Sequence, residues 1–207
     1  MTLPDTDTDT DTDTGPAAPR RPSPGRRFAR DLREDATSAV EHIVFSRLLG
    51  SVLLPRTARR LLLRAAGACA GSGPGGGFRL VGRPGDLTIG TSVYMNRGVF
   101  VEAVAPVSIG SDSALGMEVM IVTSHHELSP TGAWDSRASG RPVTIGERVW
   151  VGARAVILPG AVIEDDVVVA AGAVVTGRLS SHGVYAGVPA RRIRDHSASE
   201  TVRPSAS

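Results

Sequence analysis

Lysine is absent from this sequence, and cysteine occurs once, at position 69. A lone Cys69 excludes a disulfide framework and a cysteine-based metal cluster. All 23 basic side chains are therefore arginine, set against 21 acidic ones. That near-balance gives a high isoelectric point without a strong positive field, so nucleic acid is not implied as a partner. Long apolar runs are also missing. The stretch Ile43–Leu54 is interrupted by Arg47 and stops at Pro55, short of the ~20 apolar residues that a bilayer span needs. The first residues are acidic and polar, not a basic segment followed by an apolar one. This predicts no secretory leader and a cytoplasmic protein.

What is present divides the chain into unequal parts. Residues 1–27 combine Thr-Asp repeats with a Pro- and Arg-rich stretch. They offer too little apolar surface to offset backbone entropy, which predicts a solvated tail. Residues 28–70 read as a helical N-terminal region. Phe28, Leu32, Ala36, Val40 and Ile43 recur at helical spacing. Thr57 is a candidate cap for a further segment, Ala58–Ala66, ending at Gly67. Arg56, Arg59, Arg60 and Arg64 beside Leu61–Leu63 would suit an anionic membrane surface, so residues 43–66 carry a possible peripheral membrane contact. The plainer reading is a cap on the open end of whatever follows. Residues 71–77, GSGPGGG, read as a flexible joint.

From there a period of six takes over. Ile89, Met95 and Val101, then Ile109, Leu115 and Ile121, then Ile145, Val151, Ile157, Ile163, Val169 and Val175 are all large and aliphatic. Two residues before each lies a small or aliphatic residue, with Ser113 the polar exception. An α-helix cannot give this pattern, because six residues turn through about 600° and successive positions walk around the cylinder. Hexapeptide repetition with Gly punctuation predicts an all-β solenoid, a parallel β-helix with eighteen residues per triangular coil over about residues 71–195. Two extra residues intrude near Ala105–Pro106. Residues 124–142 break the period, and the aliphatic positions then resume in phase. A loop of that length in a repeat fold is usually functional. It opens with His125 and His126, side chains able to take a proton near neutral pH. Residues 196–207 read as a second polar tail.

These features resemble the hexapeptide-repeat acyltransferases, and within them the maltose, galactoside and colanic-acid O-acetyltransferase branch. The resemblance rests on Tyr94-Met95-Asn96, Thr123-Ser124-His125-His126-Glu127, Arg137-Ala138-Ser139-Gly140 and Trp150-Val151-Gly152-Ala153. It continues through Ile157-Leu158-Pro159-Gly160, Ala170–Thr176 and Tyr185–Arg191. It implies a left-handed coil, a homotrimer with sites between subunits, and acetyl-coenzyme A as acyl donor. The acceptor it implies is a hydroxyl on a sugar, glycan precursor or sugar-containing metabolite.

The resemblance also assigns roles. A general base must take the hydroxyl proton as it attacks the thioester. Alignment on Glu127 gives that role to His126, with His125 and Glu127 at the acceptor side. The Ala153 backbone N–H would meet the developing oxyanion. Asn96 and Tyr94 would contact the acceptor, and Glu102 would stand nearby. Trp150, Ala153, Ala171 and Thr176 would line the pantetheine track, and Arg178, Arg191 and Arg192 would meet the phosphates. Family members usually have Lys after the Thr, where this chain has Gly177-Arg178. No metal is expected. Two other readings stand beside this one: a non-catalytic scaffold, and a zinc carbonic anhydrase, for which only His125 and His126 lie near the coils and no third ligand is evident.

Overall fold

A computed structural model describes residues 46–126 and 139–196. The expectations for the tails, for the helix starting at Phe28, and for Glu127, Arg137 and Ala138 lie outside the described residues.

The predicted solenoid is what forms: a left-handed parallel β-helix of hexapeptide repeats. Strands stack in register into three faces. The first face runs through Cys69–Ala70, Leu87–Ile89, Val107–Ile109, Val143–Ile145, Val162–Ile163 and Arg178–Leu179. The second comprises Tyr94–Met95, Ala114–Leu115, Trp150–Val151, Val168–Val169 and Gly183–Ala186, with Arg191–Asp195 added antiparallel at its end. The third comprises Arg79–Gly82, Phe100–Ala103, Met120–Ile121, Val156–Ile157 and Val174–Val175. Every one of the twelve large aliphatic positions is buried, and so is the residue two places before each. Ser113 takes one of those inner places. Its hydroxyl donates to the Gly146 carbonyl (2.9 Å) and accepts from the Val149 N–H (3.0 Å), so it brings no unpaired polar atom into the core.

The corners repeat as strictly as the strands. Three residues after each large aliphatic, the chain enters the left-handed region wherever a tight corner follows, at Ser92, Gly98, Asp112, Glu118, Arg148, Arg154, Gly160, Asp166 and Gly172. Most of these are not glycine, a cost that the paired rungs above and below outweigh.

Both interruptions are accommodated without losing register. Leu87 pairs with Val107, so the two extra residues bulge at the corner. Buried Thr123 holds that bulge: its hydroxyl accepts from the N–H groups of Val104 (3.0 Å) and Ala105 (3.1 Å) and donates to the Glu102 carbonyl (2.8 Å). The long loop leaves and returns through an antiparallel stem, Ser124–His125 against Ser139–Gly140, and Val143 then pairs with Val107.

Two expectations for the N-terminal side need correction. The helix α1 spans Arg56–Ala65 with Pro55 at its N-cap, so Thr57 lies inside it and caps nothing. Residues 71–77 are not a loose joint. They form part of the first coil, where Cys69–Ala70 pairs with Thr88–Ile89. A Cβ on Gly71 or Gly75 would meet the Gly90 or Met95 carbonyl oxygen at 2.6 or 2.7 Å. These glycines permit close backbone approach, a use that composition alone cannot separate from flexibility. Leu49 and Leu63 bury against the first coils as a cap should. Arg59, also buried, donates to the carbonyls of Pro74 (3.0 Å) and Ser51 (2.6 Å).

Candidate active site

The corner joining the third face to the first carries the histidines. Glu102, at the end of its strand, accepts through Oε2 from the Ser124 N–H (3.1 Å) and hydroxyl (2.6 Å). Ser139 in turn donates its hydroxyl to the His125 carbonyl (3.0 Å). The stem is thereby anchored on both strands. His125 sits within it and is half-buried, and His126 follows as an exposed residue with a contact of its own. Glu102 is thus engaged in holding the stem. Thr176 lies at the same corner, exposed.

A second group occupies the second face and the corner after it. Tyr94, Ala114, Trp150 and Val168 align in one outward column. The two exposed aromatics bracket the small Ala114, about 10 Å apart at the usual rung spacing. Arg56 of α1 lies 4.4 Å over the Tyr94 ring and donates to the Met95 carbonyl (3.0 Å). The Asn96 amide oxygen accepts from the Arg97 N–H (2.8 Å), the bond of a turn residue serving its own backbone. The Ala153 N–H has no acceptor among the described residues, while its carbonyl accepts from Gly172. A Cβ on Gly116 would lie 2.6 Å from the Ala153 nitrogen, so glycine there leaves the space beside that N–H open. Ala171 is exposed one rung along.

The arginines separate by their partners. Arg178 donates to Glu164 (2.7 Å), whose carboxyl is held below its usual range first by the Ser181 N–H and then by Arg178. Arg192 is tied to Asp195 (3.0 Å), the His182 carbonyl (2.8 Å) and the Tyr185 hydroxyl (3.4 Å). Arg191 donates to the neighbouring Ala190 carbonyl (3.0 Å) and meets no carboxylate among the described residues.

The two groups do not meet within one chain. The third face lies between them, presenting an outward column of Phe100, Met120, Val156 and Val174. One expectation about histidines is also corrected. His182 stands on a coil corner, 4.0 Å from Asp166, and so lies on the coil as well. The corner it occupies joins the first face to the second, away from His125. No group of three His, Cys, Asp or Glu side chains suited to a metal occurs among the described residues.

The strict block of the coil, residues 142–177, matches the model described as bacterial transferase hexapeptide (six repeats). Galactoside O-acetyltransferase of Escherichia coli K12 is 35% identical over 114 residues, which cover 53% of this chain and 54% of that protein. The chain spans about half the length of the curated relatives it matches. A maltose O-acetyltransferase structure from Clostridium difficile 630 superposes with a TM-score of 0.62 at 25% identity, covering 74% of this chain and 83% of that one. A galactoside acetyltransferase solved with coenzyme A superposes with a TM-score of 0.63 at 25% identity, covering 75% and 79%.

Sequence reading missed the roles of four residues. Ser124 and Ser139 anchor the histidine stem, and no local pattern marks a hydroxyl that caps a distant strand. Gly116 was absorbed into the general glycine punctuation. Arg56 reaches Tyr94 across 38 residues of sequence, and only the folded cap brings them together.

Proposed function

We propose that this protein transfers an acetyl group from acetyl-coenzyme A to a hydroxyl of a sugar, glycan precursor or sugar-containing metabolite. The observation that carries the reading is the anchored stem: it fixes an imidazole at a coil corner, as a general base requires. Support also comes from the named relatives, one of them solved with coenzyme A.

The base comes from the His125–His126 pair. Alignment on Glu127 favours His126. Geometry favours His125, because it lies inside the stem, is half-buried and has its carbonyl tethered by Ser139. We assign the proton transfer to His125, with His126 at the acceptor side. The hydroxyl oxygen attacks the thioester carbon as His125 takes its proton, and the resulting oxyanion is met by the Ala153 N–H. Collapse expels the coenzyme A thiolate, which takes up a proton. No acyl-enzyme is needed.

The coenzyme A track would run past Trp150, Ala153 and Ala171 of one subunit to Thr176 of its neighbour, where exposed coil edges can pair with pantetheine amides. Arg191 is the arginine available to a phosphate, since Arg178 and Arg192 are engaged with carboxylates. Tyr94 and Asn96 would contact the acceptor. The site is completed between subunits of a homotrimer. The placement of His125 and Ala153 on opposite edges of the third face, whose apolar column a neighbour would cover, supports this reading. The protein is proposed to work in the cytoplasm.

The test is a panel of sugar and glycan acceptors incubated with labelled acetyl-coenzyme A. Labelled O-acetyl product with at least one hydroxylated acceptor supports the reading. Absence of any donor consumption and of any coenzyme A binding would contradict it and favour a scaffold.

A further inference from the structure

The cap end of the molecule has an unusual charge pattern. From His42 to Gly85 the sequence contains seven arginines, at positions 47, 56, 59, 60, 64, 79 and 83, and no acidic residue, although the whole chain is nearly balanced. Of these seven only Arg83 has a carboxylate partner among the described residues, Asp86 at 2.7 Å. Arg56, Arg59 and Arg60 donate to backbone carbonyls of Met95, Pro74, Ser51 and Gly71, bonds that do not neutralise their charge, and the buried Nε atoms of Arg59 and Arg60 have no partner among the described residues. Arg47 and Arg64 are exposed with no ion pair among the described residues.

The same segment exposes large apolar side chains. Leu49 and Leu63 turn inward and join the core, whereas Leu48, Val52, Leu53 and Leu61 do not. Leu53 is 91% exposed and Val52 72%. Along α1, Leu61 falls about 160° around the helix from buried Leu63, with Arg64 beside it on the outward side. The cap therefore shows apolar side chains among unneutralised guanidinium groups. A folded, water-facing cap gains nothing from that arrangement. An interfacial segment gains both burial of apolar area and attraction to acidic headgroups.

We propose that this cap docks on an anionic lipid surface, with Val52, Leu53 and Leu61 entering the headgroup boundary and Arg47 and Arg64 meeting lipid phosphates. Charge complementarity selects an acidic surface, and the exposed leucines select a bilayer over a nucleic acid, whose backbone offers them nothing. No helix among the described residues is long and apolar enough to cross a membrane, so the contact is peripheral.

The test is co-sedimentation of the full chain with vesicles of phosphatidylglycerol and phosphatidylcholine, and with phosphatidylcholine alone. The expected result is at least ~10-fold more protein on the anionic vesicles, reversed by high salt. Leu53→Asp and Val52→Asp should each lower that binding several-fold with an unchanged melting temperature, because both positions are solvent-facing. Arg47→Gln with Arg64→Gln should remove the preference for acidic lipid. Equal binding to both vesicle types, no binding to either, or wild-type binding by Leu53→Asp would overturn the proposal. So would a change of oligomeric state in Leu53→Asp without any vesicle binding, which would give the patch to a second copy of the chain.

Discussion

The Glu102 carboxylate holds Ser124 twice, by its N–H at 3.1 Å and by its hydroxyl at 2.6 Å, at the residue preceding His125. A charged acceptor with two donors is stronger than a neutral pair and leaves the strand end little freedom. In the proposed mechanism Glu102 is a positioning residue for the imidazole. Glu102→Gln keeps one acceptor oxygen and should lose about tenfold in kcat. Glu102→Ala should lose more, roughly 100-fold, with the KM for acetyl-coenzyme A little changed. A matching rise in that KM would show instead that the donor track is disturbed.

The core of the coil offers a separate test. Ser113 satisfies one buried N–H and one part-buried carbonyl. Ser113→Ala strands both, and the cost should be about 1–3 kcal/mol. Chemical denaturation should report that loss with an unchanged m-value. No loss would mean that the rungs relax to pair these groups with each other.

Gly116 couples the fold to the proposed oxyanion donor. An added methyl would sit 2.6 Å from the Ala153 nitrogen, and backbone cannot yield cheaply there. Gly116→Ala should lower both the melting temperature and kcat. Gly177, with open space around it, should accept alanine with little change in either. Equal behaviour of the two variants would remove the special role given to Gly116.

One corner ladder sets a pH dependence. Arg148 donates to both carboxylate oxygens of Asp166, at 2.8 and 2.9 Å, and these bonds hold the Asp166 carboxyl below its usual range. A depressed carboxylate stabilises the fold fully above its unfolded value of about 3.9, and the contribution fades as pH falls through the lower folded value. Arg148→Gln should therefore melt below wild type at pH 7, and the gap should narrow under acid conditions below about pH 3. The pair is exposed to solvent, so the gap should be small and should shrink with salt. A gap that widened in acid would reverse the assignment.

How much of this was legible in the sequence depends on the range of the interaction. The coil was readable because each hexapeptide repeats the same local demand, and every large aliphatic from Ile89 to Val175 is buried as its spacing requires. The phase was readable across the long loop because Val143 must stack on Val107. The glycines of residues 71–77 were misread, because a glycine that allows backbone contact and a glycine that allows flexibility look alike in one dimension. The site was partly legible. The His125–His126 pair at the loop mouth was evident, but what holds it was not, since Glu102 and Ser124 are 22 residues apart. Nor does sequence show that Arg178 and Arg192 are already engaged with Glu164 and Asp195.

The most direct test of the acyl-transfer account is acetyl-coenzyme A-dependent thiol release, measured with an accepted acceptor in wild type, His125→Ala and His126→Ala. The account predicts that His125→Ala loses at least ~100-fold in kcat with the fold intact, and that His126→Ala loses less and mainly in acceptor KM. Full turnover in His125→Ala would contradict it. If His126→Ala alone were inactive, the base would move one residue along the stem.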